Sequence, residues 1–170
     1  LSRHAVLTTK APAPLLLVDD DRWYEQVEKY RAAMDGASMP YDLWQINAAV
    51  GSARDRSPPL AVLQEYPIVI WWTGYDWYRP VTAEEEATLA AYLDGGGHLF
   101  LSSQDFMYYH QDGLLSRDYL GVLSYTESTT PTQAVGAPEN PIGDRLGPYG
   151  LSYPFDNCSD AVKPAPGTGV

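Results

Sequence analysis

Apolar and polar residues along the chain group into short blocks, and the blocks change period. Leu15-Leu16-Leu17-Val18 is an unbroken apolar run that stops at Asp19-Asp20-Asp21. Apolarity of that length, ended by polar residues, predicts a parallel strand buried on both faces. Over residues 22–35 the period lengthens. Val27, Tyr30, Arg31 and Met34 fall three or four apart, with Glu25, Glu28 and Lys29 elsewhere. This predicts a helix started by Asp20 or Asp21 and closed by Gly36. Tyr41–Ile46 reads as a second strand, residues 50–59 as a loop, and residues 59–65 as a short helix. Pro67–Thr73 is rich in β-branched and aromatic residues and stops at Gly74, which marks a third strand. Thr82-Ala83-Glu84-Glu85 is a capping box. The helix behind it carries Ala83, Ala87, Leu89, Ala90 and Leu93 inward and ends at Gly95-Gly96-Gly97. His98–Ser102 is a further short strand.

Strand and helix thus alternate from residue 15 to residue 103. Such alternation implies right-handed crossovers, a parallel sheet and helices on both faces. The expected fold class is α/β, a flavodoxin-like three-layer sandwich. Its sheet should be mainly parallel, with five or more strands in an order near 2-1-3-4-5. Beyond Gly113 the pattern weakens. Leu114–Leu120 suits a helix, Gly121–Tyr125 a strand, and the Pro-, Gly-, Ser- and Thr-rich residues 127–150 loops with a short strand or hairpin. Residues 1–13 read as a tail, 14–163 as one domain, and 164–170, with Pro164-Ala165-Pro166-Gly167, as a linker.

Composition narrows the partners. Of 170 residues, 45% are apolar, enough for a real core, and 22 Asp and Glu against 11 Lys and Arg leave a net charge of −11. Nucleic acid and anionic membrane surfaces need clustered cations, so neither is expected as a partner. No apolar run is long enough to insert into a bilayer. Cys158 is the single cysteine, so no internal disulfide and no Cys/His metal spacing exist. The chain starts at Leu1, which suits a processed chain or a piece of a longer one.

In an open parallel sheet, ligands bind at the carboxyl ends of the strands. Three predicted strand ends carry Asp19, Asp20 and Asp21; Tyr75, Asp76, Trp77 and Tyr78; and Ser103, Gln104 and Asp105. If the strands are neighbours, these residues form one rim. The carboxylates suit a hard cation, but helix capping and solvated charge account for them more simply, so no metal or other cofactor is expected. Phospho-receiver domains share the acid pair and the Ser102 position. They also need an acceptor aspartate directly after the third strand and a later lysine, and no lysine lies between Lys29 and Lys163. Ser102 and Ser103 sit where a nucleophile could be presented, yet His98 is at the wrong end of its strand, His110 is seven residues past Ser103, and His4 is in the tail. No catalytic residue is therefore assigned. Trp71 and Trp72, on opposite faces of one strand, are expected in the core. Tyr75, Trp77 and Tyr78 lie past Gly74 and could line a groove for a glycan or a peptide.

Leu15–Asp21, Ile68–Tyr78, Thr82–Gly97 and Leu99–Asp105 together resemble the class I glutamine amidotransferase-like superfamily, and within it the non-enzymatic, trehalose-utilisation-type-like domains of larger bacterial proteins. The likeness covers residues 14–126 and continues weakly at Glu139-Asn140-Pro141-Ile142, where Asn140 stands in a histidine's place. Amidotransferases carry a cysteine at the turn that Ser102-Ser103-Gln104 occupies here, and a His-Glu pair further on; no histidine follows His110. The resemblance therefore implies the fold without glutaminase activity. It implies a non-catalytic accessory or ligand-binding domain of a larger exported protein, extracellular or on the bacterial cell surface, beside neighbouring domains of that chain. The alternative is a hydrolase or transferase using the rim carboxylates, with or without a divalent cation.

Overall fold

The computed structural model describes residues 11–22, 24–47, 56–153, 156 and 159–168. The elements are β1 (Leu15–Arg22), α1 (Val27–Gly36), β2 (Asp42–Asn47), α2 (Leu60–Leu63), β3 (Ile68–Gly74), α3 (Ala83–Asp94), β4 (His98–Ser103), α4 (Phe106–His110), α5 (Leu114–Asp118) and four further strands. These are β5 (Val122–Thr126), β6 (Gln133–Ala134), β7 (Tyr149–Gly150) and β8 (Ala161–Pro164). The chain falls into two compact units, Leu1–Trp72 with Ala91–Ser102, and Thr73–Ala90 with Ser103–Val170. The predicted tail residues 1–10, most of the predicted loop at 50–59, and Cys158 lie outside the described residues.

β1 to β4 form one parallel sheet in the order β2-β1-β3-β4, flanked by helices. This is the α/β, flavodoxin-like arrangement expected, with the expected order for its first four strands. Leu15 pairs with Ile68 and Asp19 with Trp72, so β1 and β3 run side by side at the centre. Alternation then sorts the core. Leu15, Leu17 and Trp72 point to one face, where Val27, Tyr30 and Met34 of α1 pack on them. Leu16, Val18 and Trp71 point to the other and are equally buried. The Tyr30 ring stacks on Trp72 with 4.0 Å between centroids. Gly74 ends β3 with φ at +58°, a left-handed conformation that glycine adopts without steric cost.

Three expectations need correction. Asp19–Asp21 do not follow β1; they are its last buried residues, and the strand runs on to Arg22. The helix starts at Val27, and its cap residue Gln26 makes no side-chain capping bond. Asp21 still serves that end, because its Oδ2 accepts the Gln26 N–H at 2.7 Å. The place for a fifth parallel strand is not taken by Gly121–Tyr125. β5 pairs antiparallel with β8, in a separate two-stranded sheet. That pairing also draws in the predicted linker: Pro164 is within β8, and the Ala165 N–H donates to the Gly121 carbonyl at 2.7 Å.

The second unit is held at its turns by side chains. The capping box forms as read: Thr82 N–H donates to Glu85 Oε2 at 2.6 Å and Glu85 N–H to Thr82 Oγ1 at 3.2 Å. One residue on, buried Glu86 accepts the Leu115 N–H at 2.9 Å, close to the start of α5. Of the short strand or hairpin expected within residues 127–150, the structure has the hairpin, made by β6 and β7.

Candidate functional site

Asp19, Asp20 and Asp21 belong to the first unit, and the other rim candidates belong to the second. Within the first unit the three carboxylates face inward and have internal partners. Trp71 Nε1–H donates to Asp20 Oδ2 at 3.1 Å, on one face of the sheet. Trp72 Nε1–H donates to Asp21 Oδ2 at 3.4 Å, on the other. Gln45 Nε2–H donates to Asp19 Oδ2 at 3.2 Å. A buried carboxylate needs such donors, because its transfer out of water is costly. Burial, and then the charge of Asp21, push the Asp19 carboxyl up from 3.8 to about 6. The Ser102 side chain lies near the Tyr30 hydroxyl in this same unit.

In the second unit, the segment past Gly74 divides. Asp76 is buried, and its Oδ1 accepts the Tyr78 N–H at 3.1 Å, which closes a tight turn. Tyr75 is half-buried. Trp77 and Tyr78 project into water, 64% and 51% exposed. Of the next strand end, Ser103 accepts a hydrogen bond from Thr73 Oγ1 at 2.7 Å, and Gln104 N–H reaches the Gly74 carbonyl at 3.4 Å. Asp105 is half-buried. Burial, and then the charges of Asp160, Glu127 and Asp76, push its carboxyl up from 3.8 to about 6.

His110 is engaged within the same unit. Its Nε2 lies 2.8 Å from the Val81 carbonyl and its Nδ1 3.5 Å from Glu86 Oε2, and its ring stacks on Phe106. Nothing in that arrangement presents a base to Ser103. Among the described residues, no group of three or more His, Cys, Asp or Glu side chains is placed to hold a metal ion. No helix among them is long and apolar enough to cross a membrane.

The structure adds two features that the sequence reading left out of the site. Tyr108 and Tyr109 of α4 continue the exposed aromatic surface: Trp77 meets Tyr78 edge-on at 6.0 Å, Tyr78 meets Tyr109 at 6.4 Å, and Tyr109 meets Tyr108 at 5.0 Å. The sequence held no signal that separates them, since the same five-residue helix buries its adjacent pair Phe106 and Met107 and exposes its adjacent pair Tyr108 and Tyr109. The second is an open cavity of about 380 Å³ in the first unit, at the amino ends of β3 and β4, between residues 64–67 and the glycine turn 95–97. Tyr92 forms its wall, with its hydroxyl on the Tyr66 carbonyl at 3.0 Å. A Cβ on Gly97 would overlap the Tyr92 ring, so glycine is required there for packing.

Compared with models of protein families, with curated proteins and with solved structures, the chain matches none.

Proposed function

We propose that this chain is a non-catalytic ligand-binding domain serving a larger exported protein, and that it binds through the exposed aromatic rim of its second unit. The observation that carries the reading is Trp77. A large indole held 64% in water beside Tyr78, just past the end of a central strand, has little part in its own core. Exposed aromatic surface of this kind is the usual currency of recognition. Ser103 and His110, the groups a hydroxyl-based hydrolase would use, are each committed to internal hydrogen bonds, which supports binding over catalysis. The likeness to class I glutamine amidotransferase-like domains is part of the same proposal, with Ser102-Ser103-Gln104 at the turn where the catalytic cysteine would stand.

The rim carboxylate Asp105 favours a second reading, a hydrolase or transferase, because a carboxyl held near 6 is suited to proton transfer. The two separate in one experiment. Panels of glycans and peptides are titrated while the backbone amide signals of Tyr75–Tyr78 are followed. A binding domain shifts these signals on adding ligand, leaves the ligand intact, and loses the response in Trp77→Ala. Cleavage of a panel member that is lost in Asp105→Asn would establish the second reading.

A further inference from the structure

The second unit carries most of the protein's charge. Its twelve acidic and four basic residues leave −8 of the chain's −11 there. Part of this acidity borders the aromatic surface. Tyr125 feels the charges of Glu127, Asp160 and Asp112 and lies near Tyr108, and Asp105 feels Asp160 and Glu127. Exposed rings therefore stand beside carboxylates that repel one another.

We propose that the surface formed by Trp77, Tyr78, Tyr109 and Tyr108 binds an extended peptide segment bearing arginine side chains. The inference rests on the reading of this rim as a binding surface and names what it binds. Three observations select the occupant. The protein already makes the contact once with its own chain: the Arg79 guanidinium lies over the Tyr78 ring, 5.7 Å from its centroid. A cation is drawn to an aromatic face by the ring's quadrupole, and a planar guanidinium also stacks on it. The ring spacing is the second. Successive centroids lie 6.0, 6.4 and 5.0 Å apart. Alternate side chains of an extended peptide are about 6.6 Å apart, since each residue rises about 3.3 Å. Charge is the third. A guanidinium would relieve the repulsion among Asp105, Glu127 and Asp160, whereas a neutral glycan would leave it in place and an anionic ligand would worsen it. Tyr108 at 51% and Tyr109 at 36% exposure leave ring surface in water for such a contact.

The test uses fluorescein-labelled (Arg-Gly)4 as the probe, read by fluorescence anisotropy on the whole chain at low salt. (Lys-Gly)4, (Glu-Gly)4 and the neutral oligosaccharide cellohexaose are the comparators. The arginine peptide should bind, the lysine peptide several-fold more weakly, and the glutamate peptide not at all. Trp77→Ala and Tyr108→Ala should each weaken binding about threefold to tenfold. Thermal melts check that both variants fold. Glu127→Gln should also weaken binding, while Glu139→Gln, an exposed acid in the loop before β7, should leave it unchanged. Equal losses from Glu127→Gln and Glu139→Gln, with none from Trp77→Ala, would reduce the effect to diffuse attraction and overturn the proposal. If cellohexaose shifts the Tyr75–Tyr78 signals in a Trp77-dependent way and the arginine peptide does not bind, the rim is a binding surface and this inference is wrong. If neither ligand perturbs the rim, both readings fall.

Discussion

Asp19 shows how a single residue can work against the fold that holds it. Its carboxyl is pushed up to about 6, mainly by burial, against 3.8 for an ordinary side chain. Between those values the folded state holds a proton that the unfolded chain has already released. Stability must therefore fall as pH rises from about 4 to about 6 and stay lowered above that window. A shift of this size corresponds to at most about 3 kcal/mol. Asp105 acts in the same direction from a more exposed position. Asp19→Asn keeps an acceptor for Gln45 and removes the charge. Urea unfolding should find the variant about 1–3 kcal/mol more stable than the parent near neutral pH, with the gap closing toward pH 4. A constant gap across that range would mean that Asp19 is not the titrating group. The triplet was visible in the sequence, but its burial was not. Three consecutive aspartates read as the polar end of a strand, and donors from neighbouring segments, the indoles of Trp71 and Trp72, Gln45 and the Gln26 N–H, let β1 continue through them.

At the scale of elements, the long periodic segments were the legible ones. The strand at 68–74, the capping box and the helix behind it were readable because each rests on local chemistry: β-branched runs, a Thr-Glu exchange of hydrogen bonds, and glycines that end the pattern. β8 was not legible. Ala161–Pro164 is four residues long, exposed at every position and proline-ended, and only its partner β5 makes it a strand. The tie from Glu86 to α5 was hidden for a similar reason, since it joins residues 29 apart. Its energetic role is definite. Glu86 Oε1 accepts the buried Leu115 N–H, and Gly113 leaves it room, because a Cβ there would stand 2.4 Å from that oxygen. Glu86→Ala should cost about 1–3 kcal/mol, the penalty for an unmet buried donor. Gly113→Ala should lower the melting temperature through the same contact. Hydrogen exchange at Leu115 would localise both effects to the start of α5.

For the whole molecule, the α/β class was legible from alternation, and the order of the first four strands followed from reading that alternation as a flavodoxin-like sheet. The candidate site was legible in part. Trp77 and Tyr78 were separable from Trp71 and Trp72 because Gly74 lies between the exposed pair and the core pair. Their continuation through Tyr109 and Tyr108 was not, since it depends on how a five-residue helix turns its side chains. Charge balance was readable, but its concentration in one unit emerged only with the fold.

β4 is the last strand of its sheet, and it is built from His-Leu-Phe-Leu-Ser-Ser. Phe100 is 51% exposed, and the strand carries neither lysine nor proline. Such an edge offers backbone donors and acceptors to a second strand, and the like net charge of two copies opposes their approach. That repulsion vanishes near the isoelectric point of about 4.5. The acidity that steadies Asp19 thus removes colloidal protection, so the contribution of Asp19 to the fold and the repulsion between molecules change in opposite directions with pH. Light scattering should rise as pH approaches about 4.5 even though Asp19 then costs the fold less, and Phe100→Lys should suppress the rise while leaving the unfolding midpoint nearly unchanged.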